Sequence, residues 1–515
     1  MRRLLLVALL VGLSVPAAFA QTSKAKAPLL KPLDEVWEAA YVRNDGGTDV
    51  KIGHVHMTSV PVDKDGKKLI RTTKELRFVV GRGDSTADLK ADVSTDEDVD
   101  GKVHAIRGKI WLGKDRVQTI DAEVLNGNKV RVSAGVGAGQ VKEYRWDPTN
   151  VGLAREQTLL REKQVKPGDE FTYRYYEVQV THPITVRVSV KDLEEVALPG
   201  RGNRKLLKVV CTPEPLKLES GGKLQMPAAS YWADPVSYDT IKSEMEIPGI
   251  GTVLLIRASK VAALAPNGQV PDLMKRQSIF LSRAIPDMHN RASIVYRVTV
   301  PGDTPPKELV STNGRQEIKN ASGKTFELHV TARRDPAVAG REKAGPEFLR
   351  GNYFINSDDP TVKEMAARAA GAGTDPWKKA QRIESFVHTF MRPAEYTEAM
   401  APADHVAKTR TGDCTEYGML TAALCRAVGI PSRTAIGLVY VNNLLGRPGL
   451  AFHMWTEVFV NGQWLGLDAT LGRGSIGPGH IKITDHSWDG VISFTPLLPV
   501  QGFLMANPQI EVVGK

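Results

Sequence analysis

Apolar and polar positions alternate through most of the first half of the chain. From about Val36 to Ala265 the dominant period is two residues, the spacing of a half-buried strand. Lys51 to Val60 and Lys68 to Val80 are alternating runs joined by a turn containing Asp65-Gly66. Lys129 to Ser133 follows Asn126-Gly127, and Phe171 to Val180 leads through Thr181-His182-Pro183 into Ile184 to Val190. Such punctuation predicts antiparallel hairpins. A series of them predicts a β-rich region over 36–265, built as a sandwich or half-barrel. A Pro- and Gly-containing stretch at 263–272 marks a boundary. Beyond it, Ala292 to Val300 and Thr325 to Thr331 predict a small β-sandwich or lead-in sheet over 275–345.

The period then changes. Asp359-Pro360 and Asp375-Pro376 each read as an N-cap followed by Pro at the first helical position. After the second, Trp377, Ala380, Ile383, Val387 and Phe390 recur at helical spacing. The segment 350–515 therefore mixes helices with strands, and the expected fold class is α+β. No internal repeat of fixed period is present.

At the N-terminus, Arg2 and Arg3 precede the apolar run Leu4 to Ala20, which ends in Ala18-Phe19-Ala20. This layout predicts a signal peptide over 1–20 and a linker over 21–35. Cleavage would remove two Arg and no acid from the 515 residues, taking the formal charge from +10 to +8. The expected location is periplasmic or secreted, with no stable membrane span after cleavage. Lysines and arginines such as Lys67, Lys68, Arg71 and Lys74 are interleaved with acids and read as solvated strand faces. No concentrated basic stripe is visible, so nucleic acid is not an expected partner. With 42% apolar and 24% charged residues, the chain is ordinary for a folded protein. Three cysteines cannot build a disulfide framework.

The chemistry-bearing segment is Thr409 to Leu471. Asp413 serves as an N-cap, with Glu416 three residues later completing a capping box. Tyr417, Leu420, Leu424 and Val428 form a helical stripe that ends at Gly429, with Pro431 beyond. Cys414 thus falls in the first turn, where the positive end of the helix dipole favours a thiolate. Cys425 lies eleven residues along the same helix, about 16 Å away, too far for a disulfide. Cys425 and Cys211 both read as core.

Phe452 to Val460 is an alternating strand bearing His453, Trp455, Glu457 and Phe459 on one face. Asn461-Gly462 reads as a two-residue hairpin loop into a strand over Gln463 to Thr470. That register pairs Val460 with Gln463 and sets Trp455 opposite Asp468. His453 and Asp468 then become diagonal neighbours, about 7–8 Å apart at Cα. A carboxylate placed to orient an imidazole is what a Cys-His-Asp enzyme requires.

Gly412-Asp413-Cys414, Leu424 to Arg433, His453-Met454-Trp455-Thr456-Glu457-Val458, and Trp464 with Asp468-Ala469-Thr470 resemble the transglutaminase-like superfamily. The resemblance covers about 365–472 and continues through His480-Ile481-Lys482-Ile483, as in exported bacterial members. It implies a papain-like core with Cys414 as nucleophile, His453 as base and Asp468 as orienting partner. Thr415 follows the nucleophile where the animal cross-linking enzymes carry Trp, and Ala469 replaces the usual Pro. The calcium-dependent control of the animal enzymes has no recognisable loop here. The Cys414 backbone N–H supplies one oxyanion contact, and the sequence assigns no second.

The leading expectation is an exported thiol enzyme acting through an acyl-enzyme on amide bonds of peptides or proteins, envelope-associated ones among the candidates, with hydrolysis favoured over transamidation. The alternatives are a cross-linking transglutaminase, or a non-catalytic binding module working through the β-rich region. Trp455 and Tyr417 are the candidate substrate-binding residues, and Glu457 reads as a structural hydrogen-bonder. No cofactor and no metal are expected. His54 and His56 share a strand face but lack further ligands at metal-binding spacing. His480 and His486 read as structural, with His480 also a candidate for lining the site. Gly81-Arg82-Gly83 reads as a turn.

Overall fold

Turn chemistry fixes how the N-terminal strands meet. Asp65 and Gly66 both carry positive φ, 52° and 74°, the conformation of a tight type I′ hairpin loop. Lys64 accordingly pairs with Lys67, and the ladder between Asp49–Lys64 and Lys67–Arg82 runs unbroken to Gly53 opposite Phe78. The structure is a computed structural model describing residues 30–514 except 44–46, 83–84, 112–116, 136–139, 178–181, 218–222, 248–250, 269–277, 302–303, 337–339, 394–399 and 492–494. The leader over 1–20, linker residues 21–29, Gly83, Thr181 and boundary residues 269–272 lie outside the described residues.

Hairpin follows hairpin into one fifteen-stranded sheet. From a central strand, Val36–Arg43, the chain steps outward strand by strand to the edge at Gln140–Arg145. It then crosses to the opposite edge at Asn150–Val151 and steps back through Glu170–Glu177 to Gly251–Ala258, which pairs with Val36–Arg43. Few residues separate Arg145 from Asn150, and at about 3.3–3.6 Å per residue they cannot span a flat sheet of this width. The sheet must therefore curl until its edges approach. Trp146 and Tyr176, from opposite edges, meet with ring centroids 5.6 Å apart. Among the described residues no ladder joins the two edges, so the curl is not a closed barrel.

Two features of this region depart from the sequence reading. Leu153–Lys163 is a helix where β structure was expected almost throughout. Its own N-cap, Gly152, offers no side chain, and the cap comes from a distant strand. Glu97 accepts the N–H groups of Ala154 and Arg155 at 2.8 and 3.0 Å, and Thr95 Oγ1 accepts that of Leu153 at 2.9 Å. The second departure is Lys74, which is not solvated but 2% exposed. It shares the inward face of Lys67–Arg82 with Thr72, Leu76 and Phe78, and sits in the field of Glu38, Glu156 and Glu177.

The segment 275–345 contributes three strands to a four-stranded sheet ordered Gln316–Ser322, Thr325–Thr331, Ser293–Thr299, Gln509–Gly514. The fourth strand comes from the C-terminus. Asp359 and Asp375 cap the helices Pro360–Ala370 and Pro376–Phe390 as their Asp-Pro pairs predict. The last sheet is ordered Ile279–Phe280, Arg447–Val460, Ser432–Leu444, His480–His486, with Gln463–Leu467 also pairing Arg447–Val460. One face of it receives the almost wholly buried helix Cys414–Ala427. Gly418 permits the approach, and its carbonyl accepts Thr456 Oγ1 at 2.9 Å. Among the described residues no helix is long and apolar enough to cross a membrane.

Candidate active site

The site lies where the start of one helix meets the middle of one strand. Asp413 Oδ1 accepts the Thr415 N–H at 2.9 Å, and Glu416 Oε2 accepts the Asp413 N–H at 3.0 Å, so the capping box forms as read. It fixes Cys414 at the first helical position, partly buried. The Asn461-Gly462 loop forms with positive φ at both residues, 49° and 71°, and Val460 pairs with Gln463. The second strand ends at Leu467, earlier than its predicted end at Thr470, which leaves Asp468 just beyond the ladder. From there its Oδ2 lies 2.8 Å from His453 Nε2. The His453 imidazole in turn interacts with the Cys414 thiol, each favouring the charged form of the other. The Met454 backbone N–H also favours the thiolate.

The electrostatics follow from burial and neighbours. Burial raises the pKa of the Cys414 thiol and the adjacent Asp413 carboxylate adds to this, while His453 and the Met454 N–H pull the other way. The helix dipole favours the thiolate, yet the N-cap that creates the helix start is itself an anion beside the sulfur. Burial would lower His453, but Asp468 and Cys414 hold its imidazolium well above the ordinary value. Burial would likewise raise Asp468, but His453 and His480 keep its carboxyl well below the usual range.

Three further groups contact the Asp468 region: His480, which the sequence offered as a candidate for lining the site, and Glu384 and His388, which it did not. His480 Nε2 lies 2.9 Å from Asp468 Oδ2, the same oxygen that His453 engages. Glu384, 1% exposed on Pro376–Phe390, accepts the Gly474 N–H at 3.0 and 3.2 Å, and burial lifts its carboxyl to about 7. His388 Nδ1 lies 2.9 Å from the Ala469 carbonyl. Glu384 carried a signal: it interrupts the apolar stripe of its helix beside Ile383. His480 carried none that periodicity reveals, because its position depends on a ladder to a distant strand.

Trp455 and Tyr417 are placed differently from expectation. Trp455 is 1% exposed, packed with Ala435 and Ile476 and edge-on to His480 at 5.2 Å. Tyr417 is 5% exposed in the main core. Both rings are committed to packing, so they back the site and offer no open face to a substrate. Glu457 is the hydrogen-bonder it was read to be: Lys482 and Arg433 donate to its Oε2 at 2.7 and 2.9 Å. His56 spends both ring nitrogens on Glu35 and Glu75, at 2.8 and 3.1 Å. His54 lies 5.7 Å from Trp37, centroid to centroid.

His453, Asp468 and His480 bring their donor atoms within 4.8 Å of one another. The spacing is that of hydrogen bonds. Ligands on one tetrahedral zinc, with bonds of about 2.0–2.1 Å, stand about 3.4 Å apart, whereas Asp468 Oδ2 lies 2.8 and 2.9 Å from the two nitrogens. The residues do not fit a metal as they stand.

Residues 363–469 match the family model of the Transglutaminase-like superfamily, a span that includes Cys414, His453 and Asp468. Solved structures with partial likeness include a "Putative Cysteine Protease" from Cytophaga hutchinsonii, 18% identical, covering 44% of this chain and 84% of its own at a TM-score of 0.28. A β-barrel-like protein of a domain of unknown function from Brucella abortus is 11% identical, covering 45% of this chain and 97% of its own at 0.32. A "putative exported protein" with a YmcC-like fold from Bacteroides fragilis is 12% identical, covering 45% and 97% at 0.19. No curated protein matches the chain.

Proposed function

We propose, from the transglutaminase-like core over 363–469, that the chain is a thiol enzyme cleaving amide bonds of peptides or proteins. The observation that carries this reading is the 2.8 Å hydrogen bond from His453 to Asp468, with the Cys414 thiol in the field of the same imidazole. Transfer of the thiol proton to His453 Nδ1 creates the nucleophile. The sulfur attacks the carbonyl carbon, and the C–N bond breaks as His453 returns the proton to the leaving amine. Water, deprotonated by His453, then attacks the thioester and releases a carboxylic acid and the free thiol. The Cys414 backbone N–H supplies one donor to the developing oxyanion. Asp468 keeps the ring oriented and stabilises the imidazolium. Hydrolysis is favoured over transamidation because Thr415 stands where the cross-linking enzymes carry Trp. The leader-like residues 1–20 support a working form outside the cytoplasm, periplasmic or secreted, in which the β-rich region over 36–265 recruits substrate.

The test is the pH dependence of iodoacetamide labelling of the chain lacking residues 1–20. Labelling near pH 6 that disappears in Cys414→Ala and slows in His453→Ala supports the activated pair. Labelling only above about pH 8.5, the free-thiol range, with no response to His453→Ala, removes the enzyme reading. Incubation with a peptide library, with and without a primary amine, separates hydrolysis from transamidation.

A further inference from the structure

The Asp468 carboxylate has more donors than one imidazole needs. Its Oδ2 meets both His453 Nε2 and His480 Nε2, at 2.8 and 2.9 Å, and its Oδ1 accepts the Thr470 N–H at 3.0 Å. We infer that His480 is a positioning residue for the Cys414–His453 pair, acting through Asp468 as a neutral imidazole that donates from Nε2. The inference rests on the proposed thiol-enzyme reading.

The fold holds this second histidine in place. The strand Ser432–Leu444 lies between those of His453 and His480, pairing Gly437 with His453 and Val439 with His480. Both histidines thereby project from the same face. A bulge at Ile483, between Lys482 opposite Gly437 and Thr484 opposite Ile436, returns Asp485 to that face. The His480 backbone is clamped from the neighbouring sheet. Arg315 Nη2 donates to the carbonyls of Gly477 and His480 at 2.7 and 2.9 Å. Gln316 exchanges two hydrogen bonds with the Lys482 backbone, and Tyr296 Oη donates to the Pro478 carbonyl at 2.8 Å.

A second donor changes what Asp468 can do. With a single partner, a buried carboxylate can rotate and follow its imidazole. Held by His480 on one oxygen and by Thr470 on the other, it keeps one direction, and His453 must align to it. His480 suits this task only while uncharged, because a second imidazolium beside His453 would repel it. Burial pushes His480 down to about 4, so it stays neutral where the pair would work. The charged and titratable groups around it are Asp468, His453, Arg315 and His289, with Glu384 facing Asp468 and Asp413 facing the thiol.

The experiment compares His480→Phe, which keeps the ring volume and removes the donor, with His480→Gln, which restores an amide N–H. Alkylation rates of Cys414 are taken from about pH 4 to 9 beside wild type and His453→Ala. Losing a hydrogen bond to a buried charge predicts a fall of about tenfold or more in the plateau rate of His480→Phe. His480→Gln should recover most of it and the wild-type profile. A His480→Phe profile equal to wild type, or a His480→Gln variant no faster than His480→Phe, overturns the inference. Failure of the underlying reading looks different: wild type itself would label as a free thiol and ignore His453→Ala. Should both substitutions fail to fold, the nitrogen NMR spectrum of the wild-type imidazoles decides. His480 neutral and protonated at Nε2 between about pH 5 and 8 supports the role; a charged ring or the Nδ1–H tautomer refutes it.

Discussion

Gly437 lies between the His453 strand and the His480 strand, and a single methyl group there tests how rigidly the site is held. Its backbone is ordinary strand, so no unusual φ demands glycine. The constraint is space. A Cβ at this position would stand 2.0 Å from the Ile481 carbonyl oxygen and 3.0 Å from the Ile483 nitrogen. Non-bonded atoms settle near 3.5 Å, so the two strands would have to part by more than about 1 Å. Backbone cannot rotate away as a side chain can, and Arg315 and Gln316 hold the far side of the His480 strand. Overpacking of this kind costs about 1–3 kcal/mol, and the rigid obstacle puts Gly437→Ala near the upper end, at about 3 kcal/mol. Because the displaced strand carries His480, its contact with Asp468 should be lost too. Urea denaturation gives the first quantity, and the Cys414 alkylation rate reads the second. Gly429→Ala is the control: φ is +79° but nothing lies within 4 Å, so it should cost about 1–2 kcal/mol from backbone strain alone and leave alkylation unchanged. If Gly437→Ala proves no more costly than Gly429→Ala and labels at the wild-type rate, the reasoning about this close approach fails.

Three further predictions follow from the charges. Burial alone would raise Glu457, but Lys482 and Arg433 bring it from 4.5 to about 2. Its stabilising contribution, on the order of 3 kcal/mol, is therefore full above about pH 4.5 and lost as pH falls through about 2; acid denaturation should begin in that window and start at higher pH in Lys482→Met. Lys74→Met strips the cation from beside Glu38, Glu156 and Glu177, and should cost about 3–5 kcal/mol at neutral pH; urea midpoints that recover as pH is lowered would tie the loss to the carboxylates, and a neutral result would sink the idea. Asp413→Asn keeps a competent N-cap and removes the carboxylate that pushes the thiol up. Cys414 should then label at lower pH with little change in stability; a shift to higher pH would contradict the assignment.

What the sequence made legible is what local chemistry decides. Asp-Gly and Asn-Gly turns set their hairpins, Asp-Pro pairs marked two helix starts, and the capping box at Asp413 located Cys414. The register counted back from Asn461-Gly462 was enough to bring His453 beside Asp468. What stayed hidden depends on partners far along the chain. Leu153–Lys163 lacked an N-cap signal because Glu97 and Thr95 supply the cap. Lys74 read as solvated although its parity with Leu76 and Phe78 already placed it on the inward face.

His480 shows where the division falls. Its distance from Asp468 along the chain is short, yet the contact depends on pairing with Ser432–Leu444 and on clamps from Arg315 and Gln316. The sheet built from 293–331 is thus more than a lead-in. It fixes the backbone from which His480 reaches Asp468, and Asp468 is the group hydrogen-bonded to His453. A substitution at Arg315, far in sequence from Cys414, should therefore act on the thiol by the same route as one at His480. Residues that hold a site in this way leave no motif, because their effect lies in where they place another residue's backbone.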